Sequence, residues 1–175
     1  MRLRVAELKK RYTPEALQGM SAEVLLRAEQ SEPFRQATCV ALYHAIPGEV
    51  QTAAFIEKWY RKKEIALPIV TGNDLKLFLY RGKEALRQGA FGIWEPDGCC
   101  PEIDEKAVAC ILVPGIAFDR THNRMGRGKG YYDRLLQTVA APKIGLAFHF
   151  QLFDRVPVDS FDRKMDYIAT DRELL

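Results

Sequence analysis

Apolar residues change their spacing several times along the chain, and each change marks an element. In residues 2–12, RLRVAELKKRY, Leu3, Val5, Ala6 and Leu8 stand among basic residues, which predicts a surface helix with a narrow apolar stripe. It ends near Thr13 and Pro14. Thr13 supplies a capping hydroxyl and Pro14 a first helical position for a second helix, and Ser21 restarts helix after Gly19 through Val24, Leu25, Leu26 and Ala28.

Four uninterrupted apolar runs follow, at 39–43 (CVALY), 65–70 (IALPIV), 108–113 (VACILV) and 144–148 (IGLAF). Such runs suit strands buried on both faces. Between the first two, residues 53–63 (AAFIEKWYRKK) carry Phe55, Ile56, Trp59 and Tyr60 at helical spacing, so strand, helix and strand are expected in that order. LKLFLY at 75–80, after the turn signal Gly72-Asn73-Asp74, reads as a further strand. Residues 89–101 are rich in Gly and Pro and read as an ordered loop. Residues 130–139 read as a helix whose apolar face carries Tyr131, Leu135, Leu136 and Val139.

These elements predict an α/β fold of three layers, a mostly parallel sheet with helices on both faces, Rossmann-like. No internal repeat, low-complexity tract or linker is visible, so residues 1–175 are expected to form one domain. In such sheets ligands bind beyond the carboxyl ends of strands, which directs attention to the loops there.

Composition narrows the function classes. The formal net charge is +3, too small to argue for nucleic acid or membrane partners, and no apolar segment reaches the ~18 residues of a spanning helix. The N-terminus MRLRVAELKK lacks the apolar core of a signal peptide, so a cytoplasmic protein is expected. Cys39, Cys99, Cys100 and Cys110 form no Cys-x-x-Cys pair and read as ordinary reduced thiols. His122 and His149 have no His or Cys partner at metal-like spacing and receive no chemistry.

The chemistry concentrates after the third run, in RMGRGKGYYD at 124–133. Gly126, Gly128 and Gly130 permit positive backbone torsions and leave peptide N–H groups open to an anion. Arg124, Arg127 and Lys129 add three positive charges within six residues, which repel one another unless an anion lies among them. Phosphate fits, helped by the N-terminus of the following helix. Lys129 precedes Gly130, not Ser or Thr, so this is not the common P-loop. Without that hydroxyl magnesium needs a carboxylate, and Asp133 lies one turn beyond Lys129. An ATP-using enzyme is the reading.

The stretch PGIAFDRTHNRMGRGKGYYDRLL at 114–136 resembles the signature of the 5-formyltetrahydrofolate cyclo-ligases, also called 5,10-methenyltetrahydrofolate synthetases. The likeness extends to YHAIPGEVQT at 43–52, FGIWEP at 91–96, residues 145–151 and VPVDSFDRKMD at 156–166. It implies conversion of 5-formyltetrahydrofolate to 5,10-methenyltetrahydrofolate, with Mg-ATP becoming ADP and phosphate. Phosphorylating the formyl oxygen makes it a good leaving group, and N10 of the same folate then closes the ring.

Carried over by position, the resemblance gives ATP to Arg124, Met125, Gly126, Arg127, Gly128, Lys129, Gly130, Tyr131 and Tyr132, with Arg127 to Tyr131 also bordering the formyl group. Lys129, Arg127 and Arg124 are the expected catalytic residues. Asp133 and Asp162 match the magnesium positions. Glu49 matches a folate-contacting glutamate, Phe91 an aromatic against the folate rings, and His44 and Gln151 fall in matched segments, His44 beside the substrate pocket. The family's N-terminal lysine before a Leu-Arg pair is missing, since Met1-Arg2 precede Leu3-Arg4. Arg4 is the expected ATP contact, with Arg2 the alternative.

The partners implied are small molecules acted on by a monomer. Two other readings remain open: an ATP-dependent enzyme with a different acceptor, and a non-enzymatic module holding phosphorylated ligands or nucleic acid. The latter would more naturally show a wider basic stripe with stacking aromatics.

Overall fold

The structure, a computed structural model, describes residues 1–89, 92–159 and 161–175. The chain opens on α1 (Arg2–Lys9), which buries Val5. It continues into α2 (Pro14–Gln30), capped by the Thr13 hydroxyl, which accepts from the Ala16 N–H at 3.2 Å. The restart expected after Gly19 does not occur, and α2 runs through as one helix. Gly19 is exposed with open space around it, so it costs only ~1 kcal/mol of helix propensity. Burial of Val24, Leu25 and Ala28 on the same helix outweighs that.

After the short α3 (Glu32–Gln36) come β1 (Cys39–Ala41), α4 (Ala53–Trp59) and β2 (Glu64–Thr71), the expected strand, helix, strand unit. β2 turns directly into β3 (Asp74–Leu79), and the two pair antiparallel. Further on lie β4 (Leu86–Gln88), β5 (Trp94–Pro96), β6 (Glu102–Ile103), β7 (Cys110–Pro114), β8 (Ala117–Asp119), β9 (Arg124–Met125), α5 (Tyr131–Thr138), β10 (Lys143–Leu146), β11 (Leu152–Phe153) and β12 (Tyr167–Ala169).

Among the described residues the main sheet runs β12-β10-β7-β1-β2-β3-β6, parallel from β12 to β2 and antiparallel beyond. Alternate residues serve opposite faces, as a period of two requires. On β7, Cys110 and Leu112 join a core with Phe34, Val24 and Ile56, under α2, α3 and α4. Ile111 and Val113 face a second core with Leu135 and Leu136 of α5. That is the expected mostly parallel sheet with helices on both faces. Among the described residues no helix is long and apolar enough to cross a membrane.

One expectation is corrected. Residues 89–101 are not a plain loop: β5 lies there and pairs antiparallel with β4, joining Arg87 to Glu95 and Leu86 to Pro96. Three-residue strands are too short to show an alternation, and the flanking Gly and Pro residues masked them.

The order of the sheet creates a seam. β1 has β2 on one side and β7 on the other, so the loops leaving β1 and β7 turn away from each other and open a crevice at the carboxyl edge.

Candidate active site

Each side of the crevice is stiffened by its own loop. On the β1 side, the buried Tyr43 hydroxyl donates to the Val50 carbonyl at 3.1 Å. The Thr52 hydroxyl donates to the Tyr43 carbonyl at 2.6 Å and accepts from the Ala45 N–H at 3.1 Å. Between these staples the chain turns at Gly48, whose φ of 83° suits glycine, and presents Glu49 at the rim.

On the β7 side, Gly115 is required by contact: a Cβ there would meet the buried Phe118 ring at 2.4 Å. Gln151 holds the same turn, donating to the Gly115 and Ile116 carbonyls at 3.1 and 2.9 Å while accepting from the Phe148 N–H at 2.8 Å. β8 and β9 then form a hairpin whose tip is organised by Asp119, which is fully buried. Burial pushes its carboxyl up, but hydrogen bonds from Val156, Asn123 and Thr121 prevail and hold it down at about 2.

The glycine-rich loop leaves β9 and enters α5. Gly128 and Gly130 adopt positive φ values, 95° and 70°, and Gly130 precedes the first turn of α5. Gly126 is not in that region; its need is space, since a Cβ would lie 3.0 Å from Arg124 Nη1.

The cations of the loop are not equivalent. Arg124 is buried, ion-paired with Asp133 and donating to the Pro114 carbonyl at 3.1 Å, with Tyr132 beneath its guanidinium. Arg127 is half exposed and donates to Glu49 Oε1 from Nη2 at 2.8 Å and from Nε at 3.2 Å. At Arg124 and Arg127 the expected self-repulsion is therefore relieved inside the protein, by carboxylates the linear spacing did not reveal. Lys129 lines the cavity.

Two cavities meet at this loop. The larger, about 390 Å³, is walled by Tyr43, His44, Ile46, Pro68, Val70, Leu75 and Ile93 on its apolar side and by Gly126 to Asp133 on the other, with Glu49 and Glu95 as carboxylates. Burial lowers the pKa of His44, favouring neutral imidazole, and its Nδ1 is buried without a partner among the described residues. Burial, reinforced by Glu49, holds the Tyr132 phenol protonated well beyond its usual range against the pull of Arg124. The smaller cavity, about 140 Å³, is lined by Arg2, Lys9, Glu49, Gly115, Arg127 and Gln151, among others. Glu49 and Arg127 belong to both.

The structure thus brings together Glu49, His44 and most of 124–133. Met125 pairs in β9 and does not line either cavity. Arg4 points elsewhere, with its guanidinium 5.3 Å from the Phe153 ring centre, whereas Arg2 donates to the Gly126 carbonyl at 3.2 Å. Asp162 lies off both cavities and accepts from the Asp159 N–H at 2.7 Å. Phe91 lies outside the described residues.

Lys9 was not among the sequence candidates. It is half buried, with Nζ against Gly48, and its pKa is lowered by burial and by Arg127, with Glu49 opposing. The signal was present: Arg2, Val5, Ala6 and Lys9 fall at i, i+3, i+4 and i+7, a single helical face. Read alone, that face looks like any basic surface stripe.

This arrangement has known counterparts. The family model described as 5-formyltetrahydrofolate cyclo-ligase family matches residues 1–171. A 5-formyltetrahydrofolate cyclo-ligase of Haemophilus influenzae is 32% identical over 85% of this chain and 81% of its own. That of Escherichia coli K12 is 27% identical over 95% and 96%. The NMR structure of Aquifex aeolicus 5,10-methenyltetrahydrofolate synthetase superposes with a TM-score of 0.89 at 36% identity, covering 99% of this chain and 89% of that one. With the crevice, the glycine-rich loop and the match along nearly the whole sequence in agreement, the chain belongs to the 5-formyltetrahydrofolate cyclo-ligase family.

Proposed function

We propose that this protein converts 5-formyltetrahydrofolate and ATP to 5,10-methenyltetrahydrofolate, ADP and phosphate, with the folate in the larger cavity and the ATP phosphates at the smaller one. The observation that carries this is the position of the glycine-rich loop: it borders a largely apolar cavity that holds Glu49 and Glu95 on one side and a small cationic cavity on the other. A loop shared by two ligands is what phosphoryl transfer between them needs.

The formyl oxygen attacks the γ-phosphorus, the bond to the β-phosphate oxygen breaks, and ADP leaves. N10 then attacks the activated carbon, the carbon–oxygen bond breaks, phosphate departs, and N10 loses its proton. The protein aligns oxygen and phosphorus and neutralises the charge in transit. Lys129 and Arg127 take that role at the transferred group, with the open N–H groups around Gly128 and Gly130. Arg124, committed to Asp133 and the Pro114 carbonyl, acts by fixing the loop. Arg2 and Lys9 supply the N-terminal contacts to the phosphates, in place of Arg4.

The donor set suits magnesium. Among the described residues no three His, Cys, Asp or Glu side chains gather into a metal cage. Magnesium characteristically takes one or two carboxylates and completes its shell with phosphates and water. Asp133, on the wall of the larger cavity, and Asp162, from the C-terminal segment outside both cavities, would supply those carboxylates, and the ion would neutralise negative charge on the departing ADP.

The test is appearance of the methenyl chromophore from 5-formyltetrahydrofolate. It is expected only with ATP and magnesium together, with one ADP per turnover. Folded protein that hydrolyses ATP at a rate indifferent to folate would reject the acceptor.

A further inference from the structure

Glu95 is a carboxylate in an unusual place. It lies on β5, is 7% exposed, and faces the larger cavity beside Ile93, Val70 and Leu75. Its cationic partner is Arg87, across the β4–β5 register, at 3.5 Å, with a side chain 57% exposed. An ion pair that long and that wet would compensate little once a ligand displaced the cavity's water from the carboxylate. Among the described residues no N–H or O–H group donates a hydrogen bond to it. The hairpin nevertheless makes room for the charge: a Cβ at Gly89 would collide with the Glu95 carboxylate at 1.9 Å.

The other carboxylates of the cavity are already engaged: Asp133 by Arg124, and Glu49 by Arg127 and the Ile46 N–H, and Glu49 borders both cavities, which puts it near the reacting groups. Glu95 borders only the larger cavity, among apolar residues of β2 and β3. A ligand filling that end must bring its own donors. The pterin ring does: its 2-amino group and N3–H form a two-donor fork along one edge, matched by the two oxygens of a carboxylate.

We propose that Glu95 is a specificity-determining residue that binds the 2-amino and N3–H edge of the pterin, so that the ring enters edge-first against β5 with its formyl end toward Lys129. This rests on the folate reading above. A site built to pair with two N–H donors rejects a substrate lacking one, because its carboxylate is then left buried and unmatched.

The experiment measures chromophore formation by wild type, Glu95→Gln, Glu95→Ala and Arg87→Ala. The substrates are 5-formyltetrahydrofolate and its analogue with methyl in place of the 2-amino group. Glu95→Ala is expected to raise the folate KM about tenfold to a hundredfold and leave the ATP KM within about twofold, with Glu95→Gln between. With the analogue the penalty of both variants should shrink to about threefold or less, and Arg87→Ala should resemble wild type throughout. A folate KM unchanged in Glu95→Ala, or folate and ATP KM values raised equally, would overturn the assignment, the second marking Glu95 as a mere support for the hairpin. Should neither variant fold, the wild-type enzyme decides: it must prefer the natural folate over the analogue by about tenfold, and parity overturns the proposal. Wild type that forms no chromophore from the natural folate would instead defeat the folate reading itself.

Discussion

Arg127 and Glu49 are separated by 78 residues, and the Arg127 Nη2 donates to Glu49 Oε1 at 2.8 Å across the seam between the β1 and β7 loops. The pair fastens the glycine-rich loop to the rim of the larger cavity and gives Glu49 a fixed orientation. Glu49→Ala is expected to raise the folate KM by about tenfold and the ATP KM by less, and Glu49→Ala with Arg127→Ala should be less damaging than the product of the two. Steady-state kinetics in both substrates checks this; equal effects on both KM values would count against a folate contact.

Lys129 is assigned to the transferred phosphoryl group. Lys129→Ala should lower kcat on the order of a thousandfold while the protein melts within a few degrees of wild type, because the side chain is exposed at the cavity rim. Wild-type turnover in this variant would remove it from the chemistry.

Substitutions at Arg124 and Asp133 are expected to separate stability from metal binding. Arg124 is 3% exposed, so Arg124→Ala leaves a carboxylate without its cation and should cost about 3–5 kcal/mol, lowering Tm by roughly 10 °C. Asp133→Asn keeps an acceptor for Arg124 but loses charge; it should raise the magnesium concentration needed for half-maximal rate. A variant that melts early at unchanged magnesium dependence would confine Asp133 to the ion pair.

Lys9 carries a prediction in pH. Burial and Arg127 lower its pKa from 10.5, so it loses its charge at a lower pH than an exposed lysine. ATP affinity should fall on the alkaline side as that proton leaves. Lys9→Arg should move the fall to higher pH, and Lys9→Met should weaken ATP binding at every pH. Identical alkaline limbs in wild type and Lys9→Arg would show that Lys9 is not the titrating group.

Asp119 sets the acid limit. Its folded pKa, about 2, lies below the ordinary 3.8, so its contribution is present above pH 3.8 and is lost as pH falls toward 2. The shift corresponds to about 2 kcal/mol. In chemical denaturation at a series of pH values, Asp119→Asn should lose stability most at neutral pH, and the gap from wild type should narrow toward pH 2. A gap that stays constant would mean the side chain acts through shape alone.

The sequence made the layers legible because their signals are long: the four apolar runs became β1, β2, β7 and β10, and the stripe of α5 faces the sheet as its spacing requires. The glycine-rich loop was legible because glycines and cations have few other uses in that density. What stayed hidden depends on contacts across the fold. Nothing in the spacing of Arg124 shows that it would be buried on Asp133, or that Lys9 rather than Arg4 would turn toward Gly48. Glu95 was lost within a segment read as loop, because a hairpin of three-residue strands has no period to recognise.

The place of β1 also bears on how the chain is made. Its register joins Val40 to Cys110, so during synthesis one edge of β1 waits while about 70 residues emerge. At ~5–20 residues per second that interval is roughly 4 to 14 s, in which an apolar strand edge is open to other chains. Both cavities straddle this late-closing seam, so a ligand of either cannot rescue the nascent protein before β7 and the glycine-rich loop have left the ribosome.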